Sequence, residues 1–328
     1  MNFLNKSFSF LSISTIPLPS HIYTLVSGFV GGLVLAFLPI SPTIALEDRF
    51  QSTHQLNLFQ AIILGMVQGL TEFLPISSTA HLKAVPVALG WGDPGVAFTA
   101  VIQLGSIAAV LWYFWKDLTN LTAGFIQSWG KKDYQSQDFR IVLGIIVGTM
   151  PIIIFGLSLK FLVSDLDNSP LRSMTTIAIA SIVMAILLAI AEITGNHQRN
   201  FEQLRSKDGI LMGLAQSLAL IPGVSRSGST ITSGLFMNLE RDTAARFSFL
   251  LGIPAITLAG LVELKDVFKQ GLELDSILVV IVGVVSSAVF SYVAIAWLIN
   301  YLKKRNTWVF VWYRLAFGVI ILGPLVIK

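Results

Sequence analysis

Six runs of almost unbroken apolar residues constrain this chain more than anything else in it. They lie near 97–115, 140–162, 175–194, 244–262, 276–300 and 308–326, and each is long enough to cross a bilayer as a helix. The residue totals agree: 54% of the 328 residues are hydrophobic and 12% are charged, whereas a soluble domain is about one-quarter charged. The mean hydropathy is +0.75. The fold class is therefore an all-α polytopic membrane protein. Cysteine is absent, which excludes disulfides and thiolate chemistry. Four histidines without a Cys/His cluster argue against a zinc site.

Two further segments are apolar but interrupted: 58–90, broken at Pro75, and 209–238, broken at Pro222-Gly223. Within the first, QGLTEFLPISSTAHL carries Gln68, Glu72, Ser77, Ser78, Thr79 and His81. Gln68 and Glu72, four apart, share a helix face. Pro75 ends that helix, since it lacks an N–H and restricts the residue before it. Ser77, Ser78 and Thr79 are candidate N-caps for a second helix with His81 in its first turn. Ionisable groups at membrane depth normally face a cavity or a partner, and a broken helix there must be buried in protein or line a cavity.

Set side by side, GMVQGLTEFLPISSTAHL and GLAQSLALIPGVSRSGST are weakly similar: Gly65 aligns with Gly213, Gln68 with Gln216 and, after a one-residue slip, Pro75 with Pro222. Paired Pro/Gly-interrupted segments in two halves point to a midplane site. The expectation is two inverted-topology repeats, about 57–195 and 208–328, each a re-entrant helical hairpin followed by three transmembrane helices. Loop charge supports it. The loops at 116–140, 195–208 and 301–307 carry Lys116, Lys131, Lys132, Arg140, Arg199, Arg205, Lys207, Lys303, Lys304 and Arg305, and a Lys/Arg excess marks the cytoplasmic side. The first hairpin then opens outward and the second to the cytoplasm. Residues 1–56 form an N-terminal extension. Its apolar run at 22–40 reads either as an extra helix or as a signal-like segment with a small-residue site near Thr43–Ala45.

The second hairpin offers Ser225, Arg226, Ser227, Ser229 and Thr230 after its break, with Gly223 and Gly228. Arginine suits bidentate phosphate contacts, and hydroxyls and helix N-termini add anion donors. The first hairpin supplies a carboxylate, a hydroxyl and an imidazole, the parts used for phosphoryl transfer. Each residue also has a plainer reading. Ser77, Ser78 and Thr79 serve equally as caps, His81 as a satisfied core histidine, and Arg226 as a structural partner of Glu72. The hydroxyls of the second hairpin serve equally as interhelical bonds. Gln103 and Gln216 read as packing groups, Tyr313 and Arg314 as interface anchors, Glu192 as an interfacial charge, and Trp112 and Trp115 as an aromatic belt.

QGLTEFLPISSTAHL and PGVSRSGST resemble the two signature motifs of the undecaprenyl-diphosphate phosphatases of the bacitracin-resistance type. The resemblance runs from about residue 58 to the C-terminus and includes FTAVIQLGSIAAVLWYFW and RFSFLLGIPA. It implies removal of the terminal phosphate from a C55 polyprenyl diphosphate, recycling the carrier lipid for cell-wall polysaccharides, at the bacterial plasma membrane with the site facing outward. It also implies a divalent cation, Mg2+ or Ca2+. By position, Glu72, Ser78, His81 and Arg226 are the catalytic residues, with Ser78 the candidate nucleophile, His81 the candidate acid/base and Arg226 the phosphate clamp; either Ser78 attacks phosphorus, forming a phosphoserine, or His81 activates a water. Ser77, Thr79, Ser225, Ser227, Gly228 and Thr230 are the phosphate-binding set, and Glu72 and Gln68 the metal ligands. The family's first motif often begins with Glu where this chain has Gln68, which supplies no charge. Expected partners are the lipid substrate and the membrane, with no nucleic acid; a homodimer is admissible. The rival reading is a transporter of a polyprenyl phosphate, since inverted repeats and broken helices also build transporters.

Overall fold

The computed structural model describes residues 56–92, 94–162, 169–270 and 277–326. The expected N-terminal extension, 1–56, lies almost wholly outside them. Eleven α-helices are described: α1 (Leu58–Phe73), α2 (Ser78–Ala88), α3 (Val96–Tyr113), α4 (Trp115–Gly130), α5 (Gln137–Leu162), α6 (Met174–Thr194), α7 (Ser206–Ser217), α8 (Arg226–Phe236), α9 (Arg241–Gln270), α10 (Ile277–Leu302) and α11 (Trp308–Val326). Four are long and apolar enough to cross a bilayer, within Gln137–Leu159, Met174–Thr194, Arg241–Val262 and Ile277–Leu302. A fifth span results if the bent pair α3–α4 is taken as one. The chain is a multi-pass helical membrane protein.

The helices are inside-out relative to a soluble bundle. On α6, Ile179, Val183, Ile186 and Ile190 form an exposed stripe, while Ile177, Ala178, Ser181, Ala185 and Leu188 are buried. Large apolar side chains on the outer face need no water-facing explanation when the surroundings are lipid.

The region 116–140, expected as a loop, is helical over most of its length. Trp115–Gly130 turns 64° from α3 and buries Leu121 and Ser128. Asp117 in its first turn accepts from Arg246 Nη2 at 2.8 Å, which fixes α4 to the start of α9. Its polar composition hid it from a search for apolar runs.

Close helix crossings rest on small residues. α1 packs chiefly along α10, and α7 along α5. A Cβ on Gly69 would lie 2.6 Å from Ser287 O, and one on Gly213 would collide with the Gly148 carbonyl. In lipid, backbones brought this close supply the packing attraction that a hydrophobic effect does not.

Contacts at the helix ends show which termini are neighbours. The Phe59 ring lies 6.3 Å from that of Trp91, so the start of α1 sits beside the end of α2. Arg199 joins the start of α7 to the end of α8: it donates to Asp208 Oδ2 at 2.5 Å and to Met237 O at 3.1 Å. Glu192, expected as an interfacial charge, is instead buried. It accepts two bonds from Arg241 Nε, at 2.9 and 3.1 Å, a third from Arg241 Nη2, and one from Thr307 Oγ1 at 2.7 Å. The carboxylate thus ties together the end of α6 and the starts of α9 and α11.

Candidate active site

The two breaks fall where expected. α1 stops at Phe73, two residues before Pro75, and α2 starts at Ser78 after Ser77. α7 ends at Ser217, a short 3-10 turn follows, and α8 starts at Arg226 after Ser225. Both cap residues have positive φ, 75° at Ser77 and 72° at Ser225. A left-handed conformation costs a side-chain-bearing residue about 1–2 kcal/mol, and strain of this kind concentrates at functional sites. Ser78 and Arg226 therefore hold the same place, the first helical residue after a strained serine.

These residues meet across the hairpins. Ser78 Oγ donates to Glu72 Oε2 at 2.7 Å, Gln68 Nε2 donates to the same oxygen at 3.1 Å, and Arg226 Nη2 donates to Oε1 at 3.4 Å. The Glu72 and Arg226 side chains are only 9% and 8% exposed. One guanidinium and two neutral donors thus face this carboxylate. Arg226 Nη1 also donates to Ser248 O at 3.4 Å, and its Cζ lies 5.7 Å from the centre of the Phe73 ring. Gly252 on α9 makes room for it: a Cβ there would run into Nη1 and stand 2.7 Å from Cζ.

The expected phosphate-binding hydroxyls are largely committed to the protein. Ser225 Oγ accepts from Gly228 N at 3.1 Å, capping α8. Ser227 Oγ donates to Leu74 O at 2.9 Å, a carbonyl just past the end of α1 that also accepts from Ile76 N. Thr230 Oγ1 is 2.5 Å from Ser248 Oγ and donates to Arg226 O at 2.8 Å. Gly228 gives close approach to Arg314, whose Nη1 would lie 3.0 Å from a Cβ there. Ser77 makes no capping bond, and Thr79 is exposed.

His81 bonds to groups outside the carboxylate cluster. It is fully buried. Its Nδ1 lies 2.7 Å from Ser77 O, so Nδ1 carries a proton and donates, and Nε2 accepts from Tyr313 O–H at 2.5 Å. The ring also stacks on Phe317, with centroids 4.5 Å apart. Both nitrogens are occupied by protein groups, as a satisfied core histidine's would be.

Tyr313 and Arg314, expected as interface anchors, are corrected most sharply. Both are buried, Arg314 to 1% exposure. Its guanidinium donates to Pro75 O at 2.9 Å, to Gly223 O at 2.7 Å and Val224 O at 3.1 Å, and to Ser181 O at 3.3 Å. One side chain thus bonds carbonyls at both breaks, as irregular backbone in a membrane requires. An arginine nearly two turns inside an apolar helix was the available signal.

A family model described as bacitracin resistance protein BacA matches residues 61–320. Among similar proteins, the undecaprenyl-diphosphatase of Synechocystis sp. is 67% identical over 288 residues, 88% of this chain and 88% of that one. The undecaprenyl-diphosphatase of Trichormus variabilis is 62% identical over 304 residues, 92% of this chain and 95% of that one. That of Trichodesmium erythraeum is 63% identical over 82% of this chain and 86% of its own length. Matched along most of its length by this model and these relatives, the chain belongs to the BacA family of bacitracin resistance proteins.

Proposed function

We propose that this chain is a membrane-embedded undecaprenyl-diphosphatase. It removes the terminal phosphate of the C55 diphosphate, returns the monophosphate carrier to cell-wall synthesis and confers bacitracin resistance. The observation that carries the reading is the Ser78–Glu72–Arg226 arrangement, with a hydroxyl 2.7 Å from a carboxylate that also faces a guanidinium. A carrier of lipid phosphate needs the cation but not a hydroxyl poised on a base.

In this reading Ser78 Oγ attacks the terminal phosphorus in line, and its proton passes to Glu72. The bond from phosphorus to the bridging oxygen breaks, and that oxygen leaves on the lipid monophosphate. Arg226 offsets the charge spread over the equatorial oxygens. Water then attacks the phosphoserine, phosphate departs, and the proton on Glu72 returns to Ser78. His81 acts as a positioning residue, holding the strained Ser77 turn while Tyr313 holds it.

The donor set is compatible with a divalent cation arriving with the substrate. Among the described residues no three His, Cys, Asp or Glu side chains group together. Mg2+ is commonly held by one or two carboxylates plus substrate phosphates. Glu72 is the ligand this chain offers, while Gln68, expected as the second, turns its amide nitrogen toward Glu72. When bound, the cation would neutralise phosphoryl charge.

Several contacts support the inverted repeat. Each pair α1–α2 and α7–α8 begins and ends among neighbours, and Lys83 on α2 donates to Arg172 O at the far end of α6 from Glu192. The hairpins in this reading are re-entrant from opposite faces. The end bearing Lys131, Lys132, Arg199, Arg205, Lys303 and Lys304 faces the cytoplasm of the plasma membrane, and the site opens to the outside. Phosphate release from undecaprenyl diphosphate by the purified protein, with and without chelator, tests the function. Lipid binding without release overturns it in favour of the transporter.

A further inference from the structure

Behind Glu72 lies a group of hydroxyls that the reaction above does not use. Gln68 Nε2 donates to Ser106 Oγ at 3.4 Å as well as to Glu72. Ser291 Oγ donates to Ser106 Oγ at 2.8 Å, and Ser287 Oγ lies 3.1 Å from it. Ser106, Ser287 and Ser291 have no exposure, and Gln68 has 2%. The three serines come from α3 and α10, the amide from α1.

The bonding arithmetic orients the amide. A hydroxyl has one proton and two acceptor sites. The carboxylate of Glu72 accepts only, so it selects the NH2 side of the Gln68 amide. The same nitrogen's second proton then meets a lone pair of Ser106. Ser291 fills the other acceptor site of Ser106, which leaves the Ser106 proton to Ser287. A reversed amide would set its Oε1 against the carboxylate in a buried site, at the cost of an unmade bond. Close backbone approach makes the arrangement possible: a Cβ on Gly105 would collide with Val284 O.

We propose that Ser106, held by Ser287 and Ser291, is a positioning residue for Glu72, acting through the Gln68 amide. Gln68 is then a fixed donor to the catalytic carboxylate, not a metal ligand. The carboxylate is held with Oε2 shared between Ser78 and Gln68 and Oε1 turned to Arg226. The proposal rests on the diphosphatase reading of the same site.

Its test is a double-mutant cycle on the full chain in detergent, measuring kcat and KM for phosphate release from undecaprenyl diphosphate. Ser106→Ala is expected to lower kcat about three- to tenfold, the equivalent of one hydrogen bond, with KM little changed. In a Gln68→Leu background the same change is expected to have no further effect, because the route to Glu72 is already cut. Ser286→Ala is the control. Its hydroxyl bonds only to Ile62 O, at 2.8 Å across the same helix pair, so loss of packing alone is seen there. Should Ser106→Ala fold poorly, Ser106→Cys leaves no void and weakens the acceptor, and a fall in kcat with little change in thermal stability is again expected. An active parent with normal kcat in the Ser106 variants overturns the proposal, as do losses that multiply with Gln68→Leu. An inactive parent instead overturns the functional reading beneath it.

Discussion

Replacing Gly252 by alanine adds one methyl group and should disable the phosphate clamp without unfolding the protein. The new Cβ would stand 2.7 Å from Arg226 Cζ and 3.3 Å from Nε. Carbon atoms in ordinary contact are about 3.5–4.0 Å apart, so the guanidinium must withdraw by ~1 Å. Its bond to Glu72 is already long, at 3.4 Å, and its other anchors, Ser248 O and the Phe73 ring, are fixed to the same neighbourhood. A misplacement of that size at a reacting group costs about 100-fold in rate. Stability moves little, because two terms oppose. Alanine is better than glycine inside a helix by about 1 kcal/mol, while overpacking costs about 1–3 kcal/mol. Phosphate release and thermal unfolding, measured on the same preparation, separate the two. A kcat within about threefold of the parent would falsify the idea that Gly252 sets the position of Arg226.

Three further changes probe the same site. Arg226→Lys should lower kcat by about 100-fold or more, since a point charge cannot face Glu72 Oε1 and a phosphoryl group as a fork does; near-parental turnover would remove the clamp. Ser78→Ala should abolish release and also remove the phosphoserine that mass spectrometry of the quenched parent enzyme should detect; persistent turnover would hand the attack to water. Arg314→Lys should lower stability by about 3 kcal/mol, because several carbonyls at the two breaks lose charge-assisted bonds. Thermal unfolding reads this, and an unchanged midpoint would mean that the breaks are held by something else.

The apolar runs and the two breaks were legible because proline and clustered polar residues are conspicuous in a hydrophobic chain. Glu72, Ser78 and Arg226 could be picked out for the same reason: each is an expensive or reactive group beside a break in an apolar segment. Less could be read where a residue has two uses. Ser225, Ser227 and Thr230 looked like anion donors, yet their hydroxyls are bonded to backbone or to Ser248, and only coordinates reveal which carbonyl a broken helix leaves open. Arg314 follows Trp308, Trp312 and Tyr313, an aromatic setting that suggested an interface. Its depth depends on how α11 packs on α6, a tertiary fact. Helix α4 was missed because polar residues recur every few positions along it (WKDLTNLTAGFIQSWG), which leaves no long hydrophobic run to notice.

One serine still separates a structural from a chemical reading of the turns. Ser225 and Ser77 adopt the same strained conformation, but only Ser225 is repaid locally, by its bond from Gly228 N. Ser77 makes no such capping bond, although glycine would adopt φ 75° without the ~1 kcal/mol penalty of a side chain. On stability alone, Ser77→Gly should therefore be neutral or slightly favourable, raising the unfolding midpoint by a degree or two at most. The backbone carbonyl that receives the His81 proton survives the change. If the hydroxyl binds phosphate, as the sequence motif suggested, the same variant should lose about tenfold in kcat/KM, the equivalent of one hydrogen bond to a charged group. Unaltered kcat/KM in a protein of equal or greater stability would leave the Ser77 side chain without a part in the reaction, and would assign the turn's whole contribution to the backbone that aims Ser78 at Glu72.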